Sequence, residues 1–355
     1  PDTFGDLIDA FNSQNTDIMN IMESVISKIR DGKRHLLLLG FPIPKIFDGE
    51  AEVVFWQALH LPIVSYGKKT AKGFRNNQQG WWMRDKYEVL TRNTKIEWLT
   101  SENWNQKEIS QRGKMNDLLL RKRILLLGAG CMGSLIAEML VRAGVYNLTI
   151  ADFDIFKVGN LSRHTLNLNN IGELKELSLC NYLNLLNPHA DIEVINDVLS
   201  IDEALKINID TNKYDIIIDC TGENSVLDIF KNIDFKEKHI LASVSVGLGA
   251  KHLYITLMNN RSTNFNKFYE LISPYLQNEK ALYDDYHLPR DGVGCWHPTF
   301  PGRSDDICLA AATSVKAIEN YIIAKSEKTL SLVYEQRESN GIFESYVMVD
   351  KKEDE

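Results

Sequence analysis

Gly128-Ala129-Gly130-Cys131-Met132-Gly133 follows the apolar run Arg123–Leu127, and the next apolar run ends in Asp152. The spacing, about 20 residues from the last glycine to the carboxylate, is that of a dinucleotide-binding strand, turn, helix and strand. In such a unit Gly128 lets the chain reverse, Gly130 clears space for a phosphate, and Gly133 lets the helix lie close on the sheet. Amides at the helix start face an anion, and Asp152 accepts hydrogen bonds from ribose hydroxyls. The turn alone is shared with many NAD- and FAD-dependent enzymes. On these residues a dehydrogenase and a nucleotidyl-transferring enzyme both stay open.

The residues after Asp152 narrow the chemistry. The run Asp152-Phe153-Asp154-Ile155-Phe156-Lys157-Val158-Gly159-Asn160-Leu161-Ser162-Arg163-His164 leads to Gly172-Glu173-Leu174-Lys175, and later to Ile218-Asp219-Cys220-Thr221-Gly222-Glu223-Asn224. A glycine turn, an Asp-x-Asp-x-x-x-x-x-Asn-Leu-x-Arg run and a Gly-x-x-Lys, in that order, resemble the ThiF/MoeB and ubiquitin-activating superfamily over roughly residues 116–320. The resemblance implies an ATP- and magnesium-dependent enzyme that adenylates the C-terminal glycine of a small ubiquitin-like protein. Adenylation is in-line attack of a carboxylate on the α-phosphorus, so catalysis is mostly positioning and charge neutralisation. The family's motif sets Asp152 and Asp154 at the nucleotide, with Asp152 holding the ribose. Asn160 and Arg163 contact the phosphates, and Lys175 is a point charge at the α-phosphate.

Two departures bear on the site. His164 stands where the family commonly has glutamine. An ungapped match puts Gly222 where the family has its magnesium-binding aspartate, leaving Glu223 or Asp219 to supply that carboxylate.

A second feature is Gly294-Cys295-Trp296-His297-Pro298-Thr299-Phe300, in a glycine- and proline-bounded loop near residues 278–305. In thioester-forming members of the superfamily a crossover segment carries the cysteine that attacks the acyl-adenylate. Cys295 matches in position and setting, and a thiolate is the right nucleophile for that exchange. The pattern also resembles bacterial ThiF-family proteins of antiphage defence operons, where an activating and a conjugating module act on a cyclic-oligonucleotide synthase. Cys131, Cys180, Cys220 and Cys308 read as packing residues. Without a CxxC pair, the five cysteines point to neither structural zinc nor a disulfide framework.

The elements that must position these groups alternate. Strands at 124–127, 148–151, 192–198, 214–218 and 240–246 are interleaved with helices at 134–143, 174–186 and 202–208. That predicts an α/β fold with a Rossmann-like, doubly wound, mostly parallel sheet covered on both faces. A further strand at 252–257, helices at 265–275 and 307–324, a hairpin about Asn340-Gly341 and a frayed tail at 350–355 complete it. The 355 residues allow two domains, or one enlarged α/β domain with an N-terminal appendage. A polar run places the boundary near 114, giving a smaller α/β docking or inactive domain at 1–114 and the adenylation domain at 115–355. The first domain reads as one helical stretch over 1–30, strands at 35–40, 53–61 and 63–66, and a Trp81-Trp82 cluster. It contains no cysteine, so the recipient thiol lies on a separate conjugating domain or protein.

A net charge of -8 disfavours nucleic acid and anionic lipid, and no run approaches the roughly 20 apolar residues of a membrane span. With no signal segment at Pro1, a cytoplasmic location is expected. The family pairs two adenylation folds, which implies a homodimer. The partners implied are a protein substrate with a free C-terminus, ubiquitin-like or a cyclic-oligonucleotide synthase, and a conjugating cysteine. Two alternatives remain: a sulfur-carrier adenylyltransferase without a thioester, and a non-catalytic docking protein that binds nucleotide.

Overall fold

The computed structural model describes residues 1–44, 46–67, 72–110, 112–195, 210–233, 239–259, 265–282 and 301–354. The chain divides into two compact units, Pro1–Trp104 and Asn105–Glu355. The division falls ahead of the position near 114 suggested by the polar run.

The first unit contains α1 (Phe4–Ser13), α2 (Ile18–Ile26), β1 (Leu36–Pro44), β2 (Ala51–His60), α3 (Gln78–Arg84) and β3 (Glu97–Trp98). Its strands form an antiparallel sheet in the order β1-β2-β3. The single helical stretch expected over 1–30 is two helices. Asn15 takes a positive φ of 55°, and the Asp17 side chain accepts from the Asn20 amide at 3.0 Å to start α2. Apolar spacing runs across the break, which is why periodicity alone did not reveal it. Phe4, Leu7, Ile18, Met22 and Ile26 pack with Leu39, Leu59 and Trp82 in one core. Residues 63–66 form no strand. Instead Ser65 donates from its amide (2.9 Å) and hydroxyl (2.6 Å) to buried Asp85, which also receives Arg30 at 2.9 Å.

The second unit begins with α4 (Gln106–Ser110) and α5 (Asp117–Leu120). Then come β4 (Ile124–Leu127), α6 (Cys131–Arg142), β5 (Asn147–Ala151), α7 (Lys175–Leu186), β6 (Asp191–Val194) and β7 (Ile216–Asp219). It ends with α8 (Asn224–Phe230), β8 (Ile240–Val246), β9 (His252–Met258), α9 (Asn266–Leu282), α10 (Ser304–Ile323), β10 (Thr329–Ser339) and β11 (Ile342–Asp354). The helix expected at 202–208 lies outside the described residues.

Among the described residues these strands form one sheet in the order β11-β10-β9-β8-β7-β4-β5-β6. From β8 to β6 the pairs are parallel, while β8–β9, β9–β10 and β10–β11 are antiparallel, so the sheet is mixed. The five residues Gly247–Lys251 between β8 and β9 are far too few for a parallel crossover, and a hairpin is the only outcome. Asn340 and Gly341 turn the last hairpin with φ of 53° and 75°, as a type I′ turn requires. The tail expected to fray is instead paired, with Asp350 opposite Val333 and Asp354 opposite Thr329.

Alternating residues of β4 explain the layers. Ile124 and Leu126 join the core built with α6, α7 and α10, whereas Leu125 and Leu127 join the one built with α8 and α9. Both sheet faces are therefore covered. The chain winds from β4 outward to β5 and β6 and then returns to β7 on the other flank. The C-terminal edge between those two directions is the crevice where α/β sheets bind ligands. Leu127 pairs with Ala151 and with Asp219, so the loops after β4, β5 and β7 open at that same edge.

Candidate active site

The glycine turn sits at this edge as its sequence requires. Gly128 has φ +85°, and a Cβ there would press on the backbone of Cys220 and Thr221 at 3.1 Å. A Cβ on Gly133 would lie 1.8 Å from the Gly128 carbonyl oxygen, so only glycine allows α6 to start so close to the turn. Around Gly130 a Cβ would meet nothing within 4 Å. That open space lies before the first amides of α6, a helix with no acidic residue in its first turn.

Asp152 is buried at the end of β5, and its two oxygens hold the neighbouring backbone. Oδ2 accepts from the Ala129 amide at 2.6 Å and Oδ1 from the Asp154 amide at 2.8 Å. Burial raises its pKa, opposed by those hydrogen bonds and the charge of Lys175. The carboxylate thus ties the end of β5 to the glycine turn.

Lys175 opens α7. Its amide donates to the Asp154 carbonyl at 2.9 Å, and Nζ lies 2.8 Å from Asp154 Oδ2. The lysine side chain is 10% exposed and the aspartate 77%, so the pair points from the interior toward solvent. Asn160, in the short turn Val158–Ser162, accepts from the Lys157 amide at 2.9 Å through Oδ1. Arg163 follows that turn, half-buried. Its positive charge and that of Lys175 both act on the Cys131 thiol, against the burial that raises it. Arg163, after its turn, and Lys175, at the start of α7, are therefore both near enough to Cys131 for their charge to be felt at the start of α6.

His164 donates its hydrogen bond inward, to the protein's own backbone. Its Nδ1 accepts from the Leu166 amide at 3.1 Å, which leaves the proton on Nε2 to donate to the Ala129 carbonyl at 2.7 Å. Phe156 packs edge-on at 5.0 Å. Burial pushes the imidazole down to about 4, so it stays neutral. Both nitrogens are used inside the protein, and the ring straps the Arg163 loop to the glycine turn.

Asp219 and Glu223 separate clearly. Asp219 is buried at the end of β7 and accepts from the Thr221 amide (3.1 Å), the Thr221 hydroxyl (2.7 Å) and the Ser243 hydroxyl (2.7 Å). Its oxygens brace the loop that carries Gly222. Glu223, at the start of α8, is exposed. Among the described residues no cluster of three or more His, Cys, Asp or Glu forms a preorganised metal cage. A lone exposed carboxylate fits a magnesium ion held mainly by substrate phosphates, the usual arrangement for that ion. Cys295 lies outside the described residues.

Glu176 is a buried carboxyl group next to Lys175 that the motifs did not single out. Its Oε2 has no hydrogen-bond donor. The available signal was its place three residues before buried Leu179 on the inner face of α7.

An open space at a glycine turn, a buried carboxylate beside it and two cations whose charge reaches the start of α6 make up the candidate site of this α/β unit. Residues 101–271 match the profile of the ThiF family, and residues 1–104 match that of the Cap2 central linker domain. The chain therefore carries a ThiF-family domain preceded by a Cap2 central linker domain. It is 32% identical over 287 residues to the ATP-dependent ubiquitin transferase-like protein Cap2 of Enterobacter hormaechei subsp. hoffmannii, covering 80% of this chain and 46% of that one. The molybdopterin-synthase adenylyltransferase of Escherichia coli K12 is 33% identical over 111 residues, 31% of this chain and 43% of that one. Among solved structures, E. coli MccB with succinimide aligns over 61% of each chain at 13% identity and a TM-score of 0.43. The chain spans less than half the length of both curated relatives. No helix of the described residues is long and apolar enough to cross a membrane.

Proposed function

We propose that this chain activates the C-terminus of a protein with ATP, in the manner of a ubiquitin-activating enzyme. The observation that carries the reading is that the charges of Arg163 and Lys175 both reach Cys131 at the start of α6, next to the open space at Gly130. Asp152 would hold the ribose, and Asn160 and Arg163 the phosphates. Lys175 would leave Asp154 to meet the α-phosphate. A substrate carboxylate oxygen then attacks the α-phosphorus, the bond to pyrophosphate breaks, and an acyl-adenylate forms. Preplaced cations neutralise charge as it grows on the phosphate oxygens. Magnesium arrives with ATP, and Glu223 is the carboxylate open to it.

In the second step the Cys295 thiolate attacks the acyl carbon, AMP leaves, and the acyl group is held as a thioester for a conjugating cysteine. This step rests on the Gly294–Phe300 pattern, as does a setting in bacterial antiphage defence. Similarity to a ubiquitin transferase-like protein supports transfer beyond the adenylate. The partners proposed are a ubiquitin-like protein or a cyclic-oligonucleotide synthase with a free C-terminus, a conjugating protein or domain, and a second copy of this chain, in the cytoplasm.

Incubation with ATP, magnesium and a candidate substrate tests the thioester. A reductant-sensitive adduct that disappears in Cys295→Ala, while pyrophosphate exchange continues, supports it. An adduct that survives the substitution moves the nucleophile elsewhere. Exchange with no adduct in the unsubstituted chain favours the sulfur-carrier type of activation.

A further inference from the structure

Glu176 is the second residue of α7, 4% exposed, with Oε2 buried and unpartnered. An ionised carboxylate in that setting is expensive, whereas a protonated one is far less so. The charges that act on it sharpen the contrast. Asp152, from the end of β5, and Asp154, from the loop after it, both oppose its ionisation. Lys175 favours ionisation, but its ammonium already sits on Asp154 at 2.8 Å. The other neighbours of α7 carry their charges elsewhere. Along α6, Cys131 stands at the start, and Glu138 and Arg142 act on Tyr182. On β6, Glu193 acts on Cys180. Burial first, and then the two aspartates, push Glu176 up to about 7 against a hydrogen bond from its own backbone amide and the charge of Lys175.

The pocket's charge balance then depends on one proton. Asp152, Asp154 and an ionised Glu176 outnumber Arg163 and Lys175 by one negative charge. With Glu176 protonated the two sides are equal, and a polyanion enters without a net repulsive field.

We propose that Glu176 is a positioning residue of the nucleotide pocket, taking up one proton from solvent when ATP binds and releasing it when the nucleotide leaves. Only an O–H bond at the carboxyl forms and breaks. In this way Lys175 faces the triphosphate without a third carboxylate competing for it. The inference rests on the nucleotide site of the proposed function and adds a linkage to it.

The test is calorimetry of magnesium-saturated ATP, whose phosphates stay ionised across the range, binding to the unsubstituted chain and to Glu176→Gln. Titrations at pH 7.5 in buffers of low and high ionisation enthalpy count the protons taken up. The unsubstituted chain should take up a measurable fraction of a proton more than the variant. Its affinity should fall by about tenfold between pH 6.5 and 8.5, following one group titrating near neutrality, while the variant stays flat. Equal proton counts, or an affinity difference that does not change with pH, overturn the proposal. If Glu176→Gln fails to fold, the unsubstituted chain still decides: an affinity flat from pH 6.5 to 8.5 overturns the linkage, and a falling one supports it. ATP binding without the linkage leaves the adenylation reading standing. No ATP binding by either protein overturns both.

Discussion

His164 Nε2 donates to the carbonyl oxygen of Ala129 at 2.7 Å, joining the loop that carries Arg163 to the middle of the glycine turn. This bond requires a neutral ring, because Nδ1 accepts from Leu166. The folded state holds the imidazole near 4, below its ordinary 6.5, so the unfolded chain binds more protons between those values. Stability contributed here is complete above about pH 6.5 and is lost as pH falls toward 4, by about 3 kcal/mol in total. Asp152 and Asp219, raised by burial, act in the opposite sense. Denaturant melts from pH 7 to 5 should therefore show a smaller loss of stability in His164→Gln than in the unsubstituted chain.

Gly133 and Gly130 should respond oppositely to the same substitution. A methyl group at Gly133 would meet the Gly128 carbonyl oxygen at 1.8 Å, and backbone cannot yield as a side chain does. Gly133→Ala should cost stability at or beyond the ~1–3 kcal/mol of ordinary overpacking. At Gly130 the methyl group meets nothing, so Gly130→Ala should melt within ~0.5 kcal/mol of the parent. If that space receives a phosphate, Gly130→Ala should still weaken ATP binding, which equilibrium dialysis would read.

The two candidate metal carboxylates are separable by the same logic. Asp219→Ala strands the Thr221 amide, its hydroxyl and the Ser243 hydroxyl, and should destabilise the domain by ~1–3 kcal/mol or more. Glu223→Ala removes an exposed side chain and should leave the melting temperature unchanged. If Glu223 meets magnesium, half-maximal adenylation in that variant should need a higher magnesium concentration.

The legibility of the site in the sequence depends on how local each signal is. Gly128, Gly130, Gly133 and Asp152 were legible because the spacing dictates one strand–turn–helix–strand geometry. The structure forms that strand–turn–helix–strand unit, with Gly128 at φ +85° and Asp152 bonded to the Ala129 amide. The direction of β9 was not legible, since an apolar strand reads alike in either orientation and only the short turn at Gly247–Lys251 decides, whereas the hairpin of β10 and β11 was announced by Asn340-Gly341. The strap at His164 and the brace at Asp219 join residues far apart in the chain, so neither contact was legible in the sequence. Glu176 hid beside the motif lysine because its meaning lies in Asp152 and Asp154, which reach it only in the fold.

The central claim, that Arg163 and Lys175 serve adenylation, is tested most directly by ATP–pyrophosphate exchange driven by a candidate protein substrate. Exchange should require the substrate's free C-terminus and fall by at least ~100-fold in Lys175→Ala and Arg163→Ala, the scale of losing one preplaced charge. Exchange undiminished in both variants, or NAD bound in place of ATP with no exchange at all, would contradict it.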